Sequence, residues 1–391
     1  MADNIKRLQA DLVIAGGGPG GCVMAKDLSK KGKKVILIEK GGNDTKYFGN
    51  PIGMVLGGHM DRTPVGGFPK TKQGHPLIMG TGVGGGTKLY QGIAGPPDIE
   101  TFKRYGIDIS PYVDEAAKDT WVNDVPDEFF GPETRRLRDA AIDVGLPWEK
   151  MQKHIDFTRC VVGCTKCSVG CPKGDKWMGK FAADEAVEHG ATLLTHTKVR
   201  DIIIENGVAV GVRAKGRNGQ RYEVNGNAVV CCSGGIGTTP ILKRAGMIKA
   251  GTSFTGDPSI MMFGFLKNGR GTGYEHQMMV GNYDDEHGVL LSGGLPAPAF
   301  TWFTLHLQSN GLRAVRDIGR YSKVVGAWTK IHDEGEGRVG LDERVSKTWT
   351  SEDLEKIEYA KVMLEKVLIK AGCNPYEIYA TTKIIGHPSG T

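Results

Sequence analysis

The sequence predicts an α/β protein with a Rossmann-like parallel-sheet domain and a second, α+β domain built on an antiparallel sheet. Residues 11–15 form a short apolar strand, a glycine-rich turn follows at once, and a helix and a second strand at 35–38 come next. This order of elements is typical of a nucleotide-binding parallel sheet. Residues 191–232 contain strand-like runs separated by turn residues, and 250–335 shows a further pattern of strands, such as 299–305. The fold class rests on these three observations.

The glycine-rich turn has the spacing of a dinucleotide site. Gly16, Gly18 and Gly21 follow the first strand as Gly-x-Gly-x-x-Gly, and Glu39 closes the second strand. Gly16 permits the tight turn, Gly18 lets the backbone touch a pyrophosphate, and Gly21 lets the helix pack on the strand. The helix N-terminus supplies amide donors and a partial positive charge. We therefore expect these glycines and Gly20 to bind the cofactor, and Glu39 to accept hydrogen bonds from the adenosine ribose.

The later chain favours FAD over NAD as the dinucleotide. Tight hairpins are indicated by three pairs in 191–232: Asn206-Gly207, Asn218-Gly219 and Asn225-Gly226. They lead into an apolar strand at 229–232 and then a Gly-Gly turn at 234–235. A three-stranded meander that returns to a buried strand and such a turn is the layout of FAD-binding domains of the two-dinucleotide type. Val199 and Gly234 are predicted to contact the cofactor.

Four blocks of the chain resemble the glucose-methanol-choline (GMC) oxidoreductases, which use FAD to oxidise alcohols. The first is the N-terminal turn with Glu39, and the second is 80–87, which is similar to the family's loop over the flavin. The third is 233–246, and the fourth runs from 337–339 through 371–372 to 387–391. The resemblance implies that FAD is also bound by the residues of the second block: Gly84, Gly85, Gly86 and Thr87.

The resemblance assigns the catalytic base to His387, in the segment His387-Pro388-Ser389-Gly390-Thr391. Removing hydride from an alcohol carbon requires the hydroxyl proton to leave, and a neutral imidazole is the usual acceptor, contributing roughly 10²–10⁴-fold. A surface His-Pro turn is the alternative interpretation of this segment. One departure concerns the flavin loop, where the family usually has Asn and this chain has Tyr90.

In the GMC family the chain continues beyond this motif into a tail that supplies a second His or Asn for the substrate oxygen. Three expectations compete for the end at Thr391. The chain is truncated, or it is one half of a split enzyme completed by a partner subunit, or a UGA selenocysteine codon has been read as a stop. The last expectation makes the protein a possible selenoprotein.

Four closely spaced cysteines, Cys160, Cys164, Cys167 and Cys171, are followed by Pro172. This is nearly the ferredoxin spacing, and it predicts a [4Fe-4S] cluster bound by the four thiolates. A zinc site and free thiols are the alternatives. Members of the family that resemble long-chain alcohol oxidases contain a related Cys- and Gly-rich segment without an assigned metal role.

Composition excludes several classes of protein. Glycine, at 58 of 391 residues, is about twice its usual share but is not periodic, so collagen-like and low-complexity structure is excluded. The net charge is +6 with scattered basic residues, which predicts no nucleic-acid partner. Residues 1–10 are polar, and no run is apolar enough to span a membrane. A cytoplasmic location follows, and eight cysteines there call for a role other than disulfides.

The predicted FAD-binding domain is discontinuous, with residues 1–110, 185–250 and 370–391. Residues 111–184 form a helical insert with the cysteine cluster, and 251–345 forms the substrate or cap domain. Residues 346–369 return to the FAD domain as a helix. This helix, predicted over 350–371, has Ser351 as its N-cap and an apolar face of Leu354, Ile357, Ala360, Leu364 and Leu368.

The favoured function is an FAD-dependent dehydrogenase that oxidises a small-molecule alcohol to a carbonyl. Its electrons leave through the iron–sulfur cluster to an electron-carrier protein. The alternative is a flavin and iron–sulfur electron-transfer subunit that needs a partner chain or further sequence to complete its active site. A third interpretation is a ketone or enone reductase. The substrate, the acceptor and the oligomeric state are not determined by the sequence.

Overall fold

Two large sheets organise the chain in the computed structural model, which describes residues 5–59, 68–294, 299–335 and 337–389. The strands are β1 (Ile5–Ala15), β2 (Val35–Ile38), β3 (Val122–Asn123), β4 (Glu149–Lys150), β5 (Lys153–His154), β6 (Thr192–Leu194), β7 (Thr197–Glu205), β8 (Val208–Gly216), β9 (Arg221–Cys231), β10 (Pro258–Phe265), β11 (Val280–Asp284), β12 (Val289–Gly293), β13 (Val324–Ile331), β14 (Gly337–Val339), β15 (Val345–Lys347), β16 (Tyr379–Ala380) and β17 (Ile384–Ile385). The α-helices are α1 (Pro19–Lys30), α2 (Pro51–Leu56), α3 (Ile99–Arg104), α4 (Val113–Asp119), α5 (Pro132–Asp143), α6 (Gly179–Glu188), α7 (Gly234–Arg244), α8 (Ala299–Asn310), α9 (Arg313–Asp317) and α10 (Ser351–Lys370).

The first sheet has the strand order β6-β2-β1-β9-β8-β7. β1 pairs in parallel with β2 and β9, and β2 pairs in parallel with β6. β7, β8 and β9 pair antiparallel, so the sheet is mixed. Parallel neighbours need a crossover connection, which α1 provides between β1 and β2. The predicted α/β fold class is confirmed.

Helices α1 and α6 cover one face of this sheet. Their buried positions are mostly small, which lets the two helix backbones lie close to the strands and to each other. The cluster comprises Cys22, Ala25, Ala182, Ala183 and Ala186 against Leu12, Ile14, Val35 and Leu37. Small residues at this contact set the distance at which the N-terminus of α1 meets the end of β1.

Two of the three predicted Asn-Gly hairpins are present. Asn206-Gly207 joins β7 to β8 with both residues at positive φ, and Asn218-Gly219 joins β8 to β9. The third prediction is wrong, because Asn225-Gly226 lies inside β9. Gly226 pairs there with Ala10 of β1, and a Cβ on it would approach the Val13 side chain to 2.9 Å. This glycine serves close strand packing and not a turn.

The second sheet has the order β16-β10-β13-β12-β11-β4, with β17 also paired to β10. Alternate residues of β10 face opposite sides. Ile260 and Met262 pack on a core that includes α5 and α10, whereas Met261 and Phe263 pack on α8. Both faces are therefore covered by helices. Both β4 and α5 come from the segment 111–184. The domain boundaries given in the sequence analysis stay predictions.

Residues 299–305 form the start of α8, so the strand predicted there is wrong. Trp302 and Leu305 are buried three residues apart, as a helix requires, and His306 is buried beside them. A short apolar run interrupted by two threonines is compatible with either a strand or a helix, and its packing partner selects one.

The N-cap of helix α10 lies one residue earlier than predicted. Thr350 is the N-cap, and it exchanges hydrogen bonds with Asp353 in a capping box, so Ser351 is not the cap. Ile357, Ala360, Leu364 and Leu368 are buried as predicted. Leu354 is 45% exposed. At about 100° per residue it lies roughly 80° around the axis from Leu364 and outside the buried stripe.

Of the described helices, none has both the length and the apolar composition that crossing a bilayer requires.

Replacing Leu364 by Ala should destabilise the chain far more than replacing Leu354. Leu364 is fully buried in the second sheet's core, where Leu→Ala changes cost about 2–5 kcal/mol. Leu354→Ala on the same helix is the matched control, with an expected cost below about 1 kcal/mol. Urea unfolding followed by circular dichroism measures both, and equal costs would contradict this assignment of the helix face.

Candidate active site

A cavity of about 1250 Å³ is lined by residues of both sheets. It exceeds the roughly 300–1,000 Å³ of ordinary small-molecule pockets, so it has room for a dinucleotide and a second molecule. Its lining includes the glycine-rich turn, Glu39, β7 and the start of α7, together with parts of β12, β13, α8 and the segment after β17. The predicted residues Gly16, Gly18, Gly20, Gly21, Glu39, Gly85, Gly86, Val199, Gly234 and His387 all line it.

The glycine-rich turn contains two kinds of glycine. Gly16 has φ +116°, and a Cβ on it would overlap the Cys232 carbonyl, while a Cβ on Gly21 would overlap the Gly16 carbonyl. Packing within the protein therefore requires both. A Cβ on Gly18 would meet nothing closer than 3.6 Å, and one on Gly20 nothing within 4 Å. These two present bare backbone to the cavity at the N-terminus of α1, where amide groups favour an anion.

Glu39 joins three loops at the rim of the cavity. Its carboxylate accepts hydrogen bonds from the backbone N–H of Gly17 at 2.8 Å, Gly41 at 2.8 Å and Gly82 at 3.2 Å. It is buried and also lines the cavity. The carboxylate thus holds the glycine-rich turn against the loop at 80–87, and its predicted contact with a ribose stays a prediction.

The second glycine loop divides in the same way. Gly85 and Gly86 line the cavity, but Gly84 and Thr87 are not among the lining residues. Gly84 donates its N–H to the Gly17 carbonyl, and Thr87 Oγ1 accepts from the Gly179 N–H at 2.9 Å. Gly84 and Thr87 therefore hold the loop in place through these hydrogen bonds and do not line the cavity.

A buried lysine, Lys176, supports this loop. Lys176 Nζ donates to the carbonyl oxygens of Thr87, Lys88, Tyr90 and Cys167 at 2.8–3.2 Å. Burial lowers the pKa of Lys176 to about 7. Its ammonium group ties the loop over the cavity to the cysteine segment.

Tyr90, which stands where the GMC family usually has Asn, lines the cavity. Its hydroxyl donates to the Trp177 carbonyl at 2.8 Å, and the Lys176 ammonium lies 4.4 Å from the ring centroid. The ring is thus fixed at both its edge and its face. While that bond is made, the hydroxyl proton is not available to a cofactor, but the oxygen can still accept a hydrogen bond.

The four cysteines of the 160–171 segment form no disulfide. Burial, with a smaller contribution from the neighbouring thiols, raises the pKa of Cys160 to about 12. Burial also raises the pKa of the Cys167 thiol, while Lys176 and Lys153 lower it. Across the described ranges, no group of three or more His, Cys, Asp or Glu side chains is arranged to hold a metal ion. The ligand set that the spacing predicts is therefore not assembled here.

The segment that contains His387 is held by backbone pairing with the second sheet. Ile384 and Ile385 pair with the start of β10, and Ser389 exchanges two hydrogen bonds with Thr255 at 2.9 and 3.1 Å. Gly390 and Thr391 of the predicted motif lie outside the described residues. A Cβ on Gly235 would approach the Ser389 backbone to 2.8 Å, so α7 begins directly against this segment.

His387 contacts an acid that sequence reasoning missed. Its Nδ1 lies 3.0 Å from Asp257 Oδ2, and Lys330 Nζ donates to the same oxygen at 2.9 Å. Burial favours a higher pKa for Asp257, but the hydrogen bond with His387 and the charge of Lys330 outweigh it and lower this pKa to about 2. No local pattern could reveal the pair, because its members are 130 positions apart.

Comparisons with known proteins agree with this geometry. The family model described as GMC oxidoreductase matches residues 99–260. A GMC-type oxidoreductase of Mycobacterium tuberculosis is 25% identical over 86% of this chain and 56% of its own length. A long-chain-alcohol oxidase of Arabidopsis thaliana is 24% identical over 95% of this chain and 53% of its own. The chain thus spans about half the length of these curated relatives, and together they support the GMC oxidoreductase family.

The crystal structure of pyridoxine 4-oxidase from Mesorbium loti is similar in fold. It superposes with a TM-score of 0.64 at 16% sequence identity, covering 91% of this chain and 80% of that one. At this identity the likeness shows the fold alone, which is an α/β fold with a mixed sheet.

Replacing Lys176 by Met should loosen the loop over the cavity. The change removes the donor shared by four carbonyl groups, so amide hydrogen exchange in 85–91 should rise about tenfold or more. Lys173→Met, at an exposed position of the same segment, is the matched control and should leave exchange unchanged. Exchange measured by mass spectrometry decides, and equal protection in both variants would contradict the role given to Lys176.

Proposed function

We propose that this chain is a GMC oxidoreductase that binds FAD and oxidises the CH–OH group of an alcohol to a carbonyl, with His387 as the base. One observation supports the proposal above all: a single cavity is lined both by the bare backbone of the glycine-rich turn and by His387. The family model and the relatives add support for the family. The activity and the role of each residue are our inference.

The residues of the cavity fit FAD in three places. Gly18 and Gly20 have no Cβ where a pyrophosphate would lie, and the N-terminus of α1 would bind its charge. Val199 and Glu39 also line the cavity, and they would contact the adenosine. Gly85 and Gly86 would let the loop backbone approach the flavin ring, with Tyr90 beside them.

The reaction needs a hydride acceptor and a proton acceptor. Bound FAD supplies the hydride acceptor. His387 supplies the proton acceptor, because its Nδ1 is engaged by Asp257 and its Nε2 is left to accept the alcohol proton.

Many of the residues that line the cavity are apolar, which favours an alcohol with an apolar body. They include Phe68, Ile78, Met278, Leu290, Phe300, Leu305 and Trp328. The long-chain-alcohol oxidases among the relatives act on such alcohols by name, whereas the structural neighbour acts on pyridoxine. We therefore place aliphatic or simple aryl primary alcohols first among the substrates to be tested.

The electron acceptor is a separate question. An iron–sulfur route to a carrier protein is predicted by the cysteine spacing alone, and within the described residues no side-chain grouping supports it. We therefore leave this route out of the proposed mechanism. Iron and labile-sulfide analysis of anaerobically purified chain tests it, and stoichiometric iron would restore the dehydrogenase interpretation.

Replacing Gly18 by Ala should prevent FAD from binding without unfolding the chain. The structure offers the new methyl group ordinary contact distance, so a loss of FAD affinity of about tenfold or more would report the ligand and not the fold. Gly319→Ala, where a Cβ also meets nothing within 4 Å, is the matched control. Fluorescence titration with FAD measures affinity and thermal melting checks the fold. Wild-type FAD affinity in Gly18→Ala would contradict the proposed binding of the pyrophosphate at Gly18.

Replacing His387 by Asn should leave FAD binding intact and slow flavin reduction by roughly 10²–10⁴-fold, the usual contribution of a positioned base. Anaerobic bleaching of the flavin by a series of aliphatic and aryl primary alcohols measures the rate. Equal rates of flavin reduction in the variant and the wild type would contradict the role of His387 as the base. A FAD-loaded wild-type chain that reduces with none of these alcohols would favour the electron-transfer subunit.

A further inference from the structure

The backbone around His387 is irregular in a way that places it against Asp257. Between the pairs Pro258–Ile385 and Thr255–Ser389, three residues of the C-terminal segment oppose two of the segment before β10. An extra residue on one strand of an antiparallel pair bends that strand and re-aims its side chains. His387 is the central residue of the three.

Both residues of this pair have uncommon backbone angles. His387 has φ +54° and Asp257 has φ +24°. Neither is glycine, and such conformations persist only where the surrounding structure imposes them. The two strained residues face each other across the irregularity, and their side chains meet at 3.0 Å.

Asp257 lies behind the cavity. His387 and Lys330 are among the lining residues, while Asp257 is not. Asp257 Oδ2 receives both the His387 Nδ1 contact and the Lys330 ammonium. Among the described charged groups nearby, Lys347 pairs with Asp333, and Lys198 pairs with Glu343. Burial raises the pKa of Tyr283, and the nearby charge of Asp257 adds to this effect.

We propose that Asp257 is a positioning residue for His387, and that Lys330 sets the charge it presents. The carboxylate holds the proton of the neutral imidazole on Nδ1, so Nε2 is the unprotonated nitrogen. The Lys330 ammonium offsets part of the charge that the carboxylate presents to the imidazole. This inference rests on the proposed function, since it concerns the base named there.

The physical reason is the opposed effect of the two charges. An unbalanced carboxylate next to an imidazole favours imidazolium, which cannot accept a proton. A carboxylate shared with an ammonium exerts less of that effect, yet it still accepts the Nδ1–H hydrogen bond. When the alcohol proton moves to Nε2, the resulting imidazolium remains paired with Asp257.

The test measures His387 directly and requires no substrate. The full chain is labelled with ¹⁵N-histidine, and long-range ¹H–¹⁵N spectra report which ring nitrogen is protonated as pH is varied. The His387 signals are assigned by their absence in His387→Gln. In the wild type, neutral His387 should carry its proton on Nδ1. In Asp257→Gly, a change compatible with the positive φ, the Nε2–H tautomer should replace it.

Two further variants should move the pKa of His387 in opposite directions. Asp257→Asn keeps the shape and removes the negative charge, so the pKa should fall by about one unit or more. Lys330→Met leaves the carboxylate unbalanced, so the pKa should rise by about one unit. Asp284→Asn is the matched control, because Asp284 contacts His287 Nδ1 at 3.0 Å elsewhere on the same sheet. It should leave His387 unchanged.

The inference is overturned if Asp257→Asn leaves the pKa of His387 unchanged, or if both charge variants shift it in one direction. FAD uptake is measured on the same preparations. Uptake with no effect of Asp257 removes the positioning role alone. No uptake by the wild type removes the proposed function, even where the tautomer depends on Asp257.

Discussion

The close approach of the Gly16–Gly21 turn to the end of β9 is the constraint on which the site depends. Gly16 and Gly21 have no room for a Cβ, because the Cys232 and Gly16 carbonyl groups occupy it. This contact places the N-terminus of α1 beside the strand ends, with its amide groups free of any side-chain cap. Glu39 then extends the same contact to the loop at 80–87 by accepting from the Gly17 and Gly82 N–H groups.

Buried cations hold the loops that surround the cavity. Lys176 donates to four carbonyl groups of two segments, and Lys153 donates to the Gln91 and Gln277 carbonyls at 3.0 and 2.8 Å. Lys88, also buried, donates to the Thr81 carbonyl. Each ammonium satisfies backbone oxygens that would otherwise be buried without donors. Burial lowers the pKa of Lys176 to about 7 and that of Lys153 to about 8.

The proposed base and the glycine-rich turn proposed to bind FAD belong to different parts of the fold. The turn, α1 and Glu39 all lie in one short stretch of chain. His387 reaches the cavity only because β17 pairs with β10, and because Ser389 packs against Gly235 at the start of α7. The position of His387 therefore depends on the packing of the segment after β17 against the start of α7.

The sequence by itself determined the α/β class, the glycine-rich turn, Glu39 at the end of β2 and the two true Asn-Gly hairpins, because each follows from local backbone requirements. It misjudged Asn225-Gly226, the 299–305 segment and Leu354, where local preference was ambiguous and packing against β1, β10 or the sheet core chose the outcome. Only the tertiary structure brought Asp257, Lys330 and His387 together and placed Lys176 beneath the loop. Ion pairs and buried donors depend on distances between residues far apart in sequence, and no local pattern encodes those distances.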